Sequence, residues 1–256
     1  MTTSTTADKR KYIAVALIWL ALWELVALII NEEILFVSPH KVLLAMGRLA
    51  VTLPFWKTIL FSILRVLGGF LAGYILFAVL SVLAFRFPFF RAFMSPAISV
   101  IKATPVASFI ILALFWSGKN FVPVIICILM IAPIVWSNVL EGLSAVDGDL
   151  LEMARVYGMK PAVRIKSIYV PSLIPYNAAA VGSGLGLCWK AGIAAEVICR
   201  TLPSIGNSIW ETKFYLITDE MFAWTATVVI LSVIFDKLIK VFMGRVLSKY
   251  KTEAAK

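Results

Sequence analysis

Histidine is almost absent from this sequence, and cysteine is scarce. The 256 residues include one histidine, His40, and three cysteines, Cys127, Cys188 and Cys199. No two cysteines form a CxxC pair, so we expect neither a disulfide framework nor a metal site. A single histidine leaves little basis for a His-ligated metal or a Ser–His–Asp arrangement. We therefore predict no catalytic residue, no metal site and no cofactor in this chain.

Charge is scarce as well. Charged residues make up 15% of the sequence, hydrophobic residues make up 61%, and the mean hydropathy is +0.95. Soluble domains are about half apolar and about a quarter charged. A soluble fold of this length has no means of burying so much apolar surface, whereas a bilayer removes the need. Because helices satisfy their own backbone hydrogen bonds in lipid, the composition predicts an all-α integral membrane protein.

The net charge of +10 does not indicate nucleic-acid binding. The basic residues lie at the ends of apolar segments and lack the aromatic interleaving of a nucleic-acid groove. In a membrane protein this pattern is an orientation signal, because inner segments carry the excess of lysine and arginine. We predict that both termini are cytoplasmic, which places most bases inside: Lys9, Arg10, Lys11, Arg86, Arg91, Arg155, Lys160, Arg164, Lys166 and the C-terminal lysines.

Apolar segments of the length that crosses a bilayer, about 20 residues, recur along the chain and predict about six transmembrane helices. A cytoplasmic tail at residues 1–11 precedes a single transmembrane domain at residues 12–256. Residues 31–57 are predicted to form an outer loop with a short surface helix. The predicted spans are 12–30, 58–85, 96–116 (interrupted by Pro105), 121–140, 168–197 and 222–243.

The inner loop at residues 141–167 is too polar to span and predicts two short helices joined by a turn. Asp149 is the predicted N-cap of the first helix, and Glu152 stands three residues later as in a capping box. Gly158 suits the left-handed position that ends a helix. Pro161 suits the first turn of the next helix.

One face of the first loop helix is apolar at helical spacing, through Leu150, Met153, Ala154 and Tyr157. An apolar face that lies neither in lipid nor in the protein's own core needs a partner. The alternative is that the loop folds back onto the helix bundle.

The loop also carries a spaced motif. Glu152-Met153-Ala154 is followed after three residues by Gly158, after nine more by Ile168, and then by Val170-Pro171. This resembles the EAA motif of ATP-binding-cassette (ABC) importer permeases, with Met153 and Val170 as mild apolar departures. Four further segments are similar to the branch that serves nitrate, sulfonate, taurine and related small solutes: 142–147, 151–155, 195–196 and 203–206.

The resemblance implies a type I ABC importer permease bundle, the MetI-like fold, with the loop as a coupling helix that docks in a groove of a separate ATPase. Glu152 would pair with a basic residue of the ATPase, Ala154 would allow close approach and Gly158 would make the turn. Alternatively, Glu152 is only a capping residue. The implied coupling set is Asp149, Glu152, Met153, Ala154, Tyr157, Gly158, Pro161, Ile168 and Pro171.

The energy source must lie in another chain, because no GxxxxGK[ST] phosphate loop occurs here. The resemblance implies two cytoplasmic ATPase subunits that bind ATP and Mg²⁺, a second permease copy in a homodimer, and an extracytoplasmic solute-binding protein. It also implies the bacterial inner membrane as the location. Cargo specificity in this family resides largely in the binding protein.

Ionisable residues within spans are functional candidates. Arg65, Lys102, Lys190 and Glu196 qualify, and Trp189 lies beside Lys190. Bases along a pathway would suit an anionic cargo such as sulfonate, taurine or nitrate; a vitamin precursor is a further candidate. The alternatives are that the lysines extend toward the membrane surface and that Arg65 and Glu196 form structural pairs.

Small residues predict close helix packing. Gly69 and Gly73 form a GxxxG step, and the fifth span repeats small residues every four positions, at 178, 182 and 186 and at 180 and 184.

Two other classes of membrane protein compete with the importer permease. An ion-coupled secondary transporter would favour paired acidic residues in mid-span, for which only Glu24 and Glu196 are candidates. An intramembrane protease would need a GxSxG-type serine with a histidine in a span, and the sequence has neither.

Overall fold

The computed structural model describes residues 6–254, and their regular secondary structure is helical. Residues 1–5 of the predicted tail and residues 255–256 lie outside the described part. Residues 6–11 form the start of the first helix. In chain order the helices are α1 (Thr6–Ile30), α2 (Pro39–Ala50), α3 (Leu53–Arg86), α4 (Pro88–Ala103), α5 (Val106–Trp116), α6 (Val122–Ser144), α7 (Gly148–Val156), α8 (Pro161–Arg164), α9 (Val170–Cys199), α10 (Ile205–Phe214) and α11 (Thr218–Ala254).

The predicted all-α fold is confirmed, while the count of six spans stays a prediction. Within residues 6–254, three helical segments are each long and apolar enough to cross a membrane: α3, α6 and the stretch Pro161–Cys199. The pair α4 and α5 adds a fourth if it is taken as one broken span. The apolar part of α1, Ala14–Ile30, is shorter.

The span predicted at residues 96–116, with an interruption at Pro105, is broken at that proline in the structure. The chain breaks between Ala103 and Val106, and α4 and α5 meet at an angle of 110°. Pro105 is the cause, because proline has no N–H to donate and disfavours helical geometry in the residue before it. Thr104 accordingly has φ −81° and ψ 131°, which is extended backbone.

The core consists of α6 packed against both α3 and α9. A Cβ added at Gly69 would lie 2.7 Å from Cys127 Cβ and 2.7 Å from the Val124 carbonyl oxygen. On the α9 side, the thiols of Cys127 and Cys188 each donate to the other residue's carbonyl, at 3.4 and 3.3 Å. The predicted close approach at the GxxxG step is confirmed.

The repeated small residues of α9 behave in two ways. Gly184 packs tightly against Ile131 of α6. No heavy atom among the described residues lies within 4 Å of a Cβ built at Gly182, and Gly186 meets only Asp236 Oδ1, at 3.9 Å. Within this chain, the close packing therefore uses Gly184 and leaves the face at Gly182 open.

The predicted short surface helix in the outer loop is present as α2, which packs against α11. Arg48 of α2 pairs with Asp219 of α11. The indole N–H of Trp23 in α1 donates to the Val37 carbonyl at 3.0 Å. These contacts join the two ends of the described chain through the outer loop.

Candidate functional site

The inner loop folds as the elbow α7–α8, with a different N-cap from the predicted one. Asp147, not Asp149, caps α7, and its carboxylate accepts a hydrogen bond from Asp149 N at 2.9 Å. Asp147 has extended geometry, with φ −60° and ψ 125°, as an N-cap requires, whereas Asp149 already lies inside the helix. The predicted capping box between Asp149 and Glu152 is therefore wrong.

The end of α7 follows the sequence prediction. Gly158 has φ +60°, which is the left-handed region that favours glycine. Gly158 N donates to the Arg155 carbonyl at 3.1 Å, and Met159 N donates to the Ala154 carbonyl at 2.9 Å. Pro161 lies in the first turn of α8. The turn between the two short helices is thus fixed by backbone hydrogen bonds and not by side chains.

The surface of α7 is apolar and open over one face. Val156 is 84% exposed, Tyr157 79% and Met153 47%. Ala154 is only 1% exposed and faces the chain's own interior. The carboxylate of Glu152 is exposed, and among the side chains that the structure describes none forms a hydrogen bond or an ion pair with it. The elbow thus presents an apolar patch, made of Met153, Val156 and Tyr157, beside an unpaired acid.

The elbow is joined to the fifth span without a break in the helical backbone. A π-helical turn at Ile165–Tyr169 connects α8 to α9. Pro171 lacks the N–H that an α-helix would use there, and a wider turn just before it accommodates that loss. Ile168 in this turn is 6% exposed. The helical backbone therefore runs without interruption from Pro161 in the elbow to Cys199.

Two of the four ionisable span residues form a structural cluster with α10. Glu196 is 0% exposed and accepts hydrogen bonds from Ser62 Oγ at 2.8 Å and Gly206 N at 3.3 Å. Arg65 Nη1 lies 3.5 Å from Glu196 Oε1 and 2.6 Å from the Pro203 carbonyl. Ser62 Oγ also accepts from Ile205 N at 2.9 Å. These bonds hold the start of α10 against α3 and α9.

Trp189 belongs to the core and Lys190 does not. The indole N–H of Trp189 donates to the Val228 carbonyl at 3.3 Å, and its ring meets Phe235 edge to face with centroids 5.0 Å apart. Lys190 is exposed, on the same side of α9 as Ser183 and Leu187. Among the predicted pathway residues on α9, Lys190 is therefore the one on an open face.

Lys102 lies in the last turn of α4, next to the break before α5. It lines two cavities of about 540 and 440 Å³ between the broken helix and α6. The larger cavity also reaches Ser183 and Leu187 of α9. Lys102 is thus the predicted pathway residue that borders a cavity, and among the described residues no hydrogen bond or ion pair joins it to Arg65 or Glu196.

Sequence reasoning missed three contributors to these sites. Val156 lies outside the spaced motif, and only its helical position next to Tyr157 could have indicated its exposure. Ser62 lies one turn before Arg65, on the face that meets Glu196. Asp147 immediately precedes a glycine at the start of a helix, which is a usable cap signal.

Within the described residues, the long apolar helices define an integral membrane protein. The family model of the binding-protein-dependent transport system inner membrane component matches residues 66–250. The chain belongs to this family, and it is a membrane protein and the permease subunit of an ABC importer.

Three relatives illustrate the family. A probable ABC transporter permease of Brucella melitensis is 28% identical over 181 residues, which cover 70% of this chain and 73% of the relative. The putative aliphatic sulfonates transport permease SsuC of Bacillus subtilis is 22% identical over 230 residues, covering 89% and 83%. The nitrate import permease NrtB of Synechococcus elongatus is 26% identical over 212 residues, covering 78% and 75%.

Proposed function

We propose that this permease moves a small anion inward across the bacterial inner membrane, driven by two separate ATPase subunits that dock on the elbow. A second copy of the chain completes the path, and an extracytoplasmic binding protein delivers the cargo. Both termini and the elbow lie on the cytoplasmic side. ATP and Mg²⁺ are bound by the ATPases, since this sequence has no phosphate loop of its own.

The elbow is the observation that carries this proposal. Its apolar patch of Met153, Val156 and Tyr157 is exposed. The loop that carries the patch is too polar as a whole to span a membrane. Exposed apolar patches of this kind mark protein interaction sites. Glu152 adds an unpaired charge for a basic partner residue, and the continuous helix into α9 supplies the lever. A rigid-body switch between inward-open and outward-open states follows from moving such a lever.

The anionic cargo is supported by two independent facts. The relatives named for their cargo serve aliphatic sulfonates and nitrate, both of which are anions. This chain itself places Lys102 and Lys190 on open faces of apolar helices. Uncompensated charges within a membrane are expensive and mark ion or substrate pathways. Sulfonate or nitrate therefore suits these sites better than a solute without net charge.

The test replaces Glu152 by lysine in the complex reconstituted with its ATPase and binding protein. We expect Glu152→Lys to insert and purify normally, and to lose most of the ATP hydrolysis that the loaded binding protein stimulates. Glu211→Lys is the matched control, because Glu211 is an exposed acid on α10, outside the elbow. Stimulated hydrolysis and uptake in Glu152→Lys equal to those of the control would remove the docking role.

A further inference from the structure

The break between α4 and α5 borders an open groove with both polar and apolar walls, which we call the break groove. Lys102 lies beside this break and lines both cavities of the groove. The larger cavity is bordered by Thr104, Ser137, Asn138 and Ser183. The smaller one extends along α6 toward Arg91 and Glu141. Together the two cavities extend from the break toward the end of α6 that leads into the elbow.

Most hydroxyl groups around the break groove already donate a hydrogen bond. Thr104, Ser137 and Ser183 each donate to the carbonyl four residues earlier in their own helix, at 2.8, 2.6 and 2.8 Å. Asn138 Nδ2 donates one hydrogen to the Ile134 carbonyl at 2.8 Å. A primary amide has two N–H groups and a lysine ammonium has three. The strong donors left for a ligand are therefore Lys102 and the second N–H of Asn138.

The net charge of the residues that line the break groove favours an anion. Lys102 is the one charged residue among the described residues that line the larger cavity. Among the side chains that the structure describes, none forms an ion pair with Lys102. In the smaller cavity, Lys102 and Arg91 face a single acid, Glu141. Because the two cavities share Lys102, together they hold one uncompensated positive charge, which an anion of single charge would neutralise.

We propose that Lys102 and Asn138 form a subsite for a singly charged oxyanion, which then passes to Arg91 on its way out of the bundle. The subsite rests on the anion-importing function proposed above. A doubly charged anion would leave one negative charge unpaired in an apolar environment, which is unfavourable. The subsite thus selects for charge and not for the shape of the organic part.

The first test measures the local charge without needing the cargo. A thiol is introduced by Ser183→Cys in the purified ABC complex, and its reaction rates with the anionic sulfonatoethyl and the cationic trimethylammonioethyl methanethiosulfonates are compared. The three native cysteines are buried, and the complex without Ser183→Cys gives the background. We expect Lys102→Gln to lower the anionic-to-cationic rate ratio about tenfold, as local potentials do for charged reactants.

Lys213→Gln is the matched control for this test. It removes the same charge from an exposed position in the last turn of α10, which lines neither cavity. We expect it to change the ratio less than about twofold, because an exposed charge outside the groove is largely screened. A ratio that is unchanged by Lys102→Gln, or that falls equally in both variants, overturns the subsite.

The second test asks which anion protects the new thiol from an uncharged reagent. Nitrate should slow the reaction, sulfate at equal ionic strength should slow it less, and Lys102→Gln should abolish the effect of nitrate. No protection by nitrate, or equal protection by both anions, contradicts a site for single charge. These outcomes are independent of the Glu152→Lys test: a chain that couples to its ATPase but fails here is an importer permease without this subsite.

Discussion

The packing of α3 on α6 yields a prediction with an internal control one residue away. A Cβ at Gly69 would lie 2.7 Å from both Cys127 Cβ and the Val124 carbonyl oxygen, and 3.1 Å from Val124 Cα. Two of these atoms are backbone, so the contact can be relieved only by moving the helices apart. A Cβ at neighbouring Gly68 meets no heavy atom within 4 Å.

The expected effects of the two alanine substitutions have opposite signs. Gly69→Ala should destabilise the protein by about 1–3 kcal/mol, the usual range for overpacking a filled interior. Gly68→Ala should be neutral or stabilise by up to about 1 kcal/mol, since alanine is the better helix former. The assay is the unfolding of the purified chain in mixed detergent micelles, followed by circular dichroism. Equal stabilities for the two variants would refute the close approach of α3 and α6.

Three further predictions concern the cluster at α10 and the elbow. Glu196→Ala should destabilise the protein by about 3–5 kcal/mol in the same unfolding assay, because it leaves the guanidinium of Arg65 partly buried without its acid; a loss no larger than that of an exposed acid would contradict the cluster. Asp147→Ala should weaken α7 by about 1 kcal/mol through loss of its cap, seen as faster amide exchange in α7, whereas Asp149→Ala should leave that exchange nearly unchanged. Gly158→Ala should raise the free energy of the folded elbow by about 1–2 kcal/mol, because alanine is strained at φ +60°, and exchange rates in α7 equal to wild type would argue against it.

The sequence was most informative where one residue type has a single structural use. Pro161 and Gly158 predicted the elbow's turn because few conformations accept them at those positions. Gly69 and Gly73 predicted the close helix approach for a similar reason. The spaced motif from Glu152 to Pro171 predicted the family. Each of these predictions depends on residue types or spacings that are read from the sequence without knowledge of tertiary contacts.

The remaining features depend on tertiary contacts that spacing does not encode. Pro105 interrupts an apolar run, and whether a helix kinks or turns through 110° is decided by what packs around it. Glu196 and Arg65 are charged residues within predicted spans, and their spacing is compatible both with a pathway and with a structural pair. In the structure, Ser62 and the start of α10 surround them. Ala154 lies on the apolar face of α7, yet it points inward, so Val156 takes its place on the exposed surface.

The central claim, that the elbow is where the ATPase binds, is tested most directly by measuring how much ATPase co-purifies with the permease. The account predicts that Val156→Asp, in the middle of the apolar patch, removes the ATPase from the purified complex. Leu216→Asp, which places the same charge on an exposed leucine beyond α10, should retain it. Full recovery of the ATPase with Val156→Asp would contradict the account.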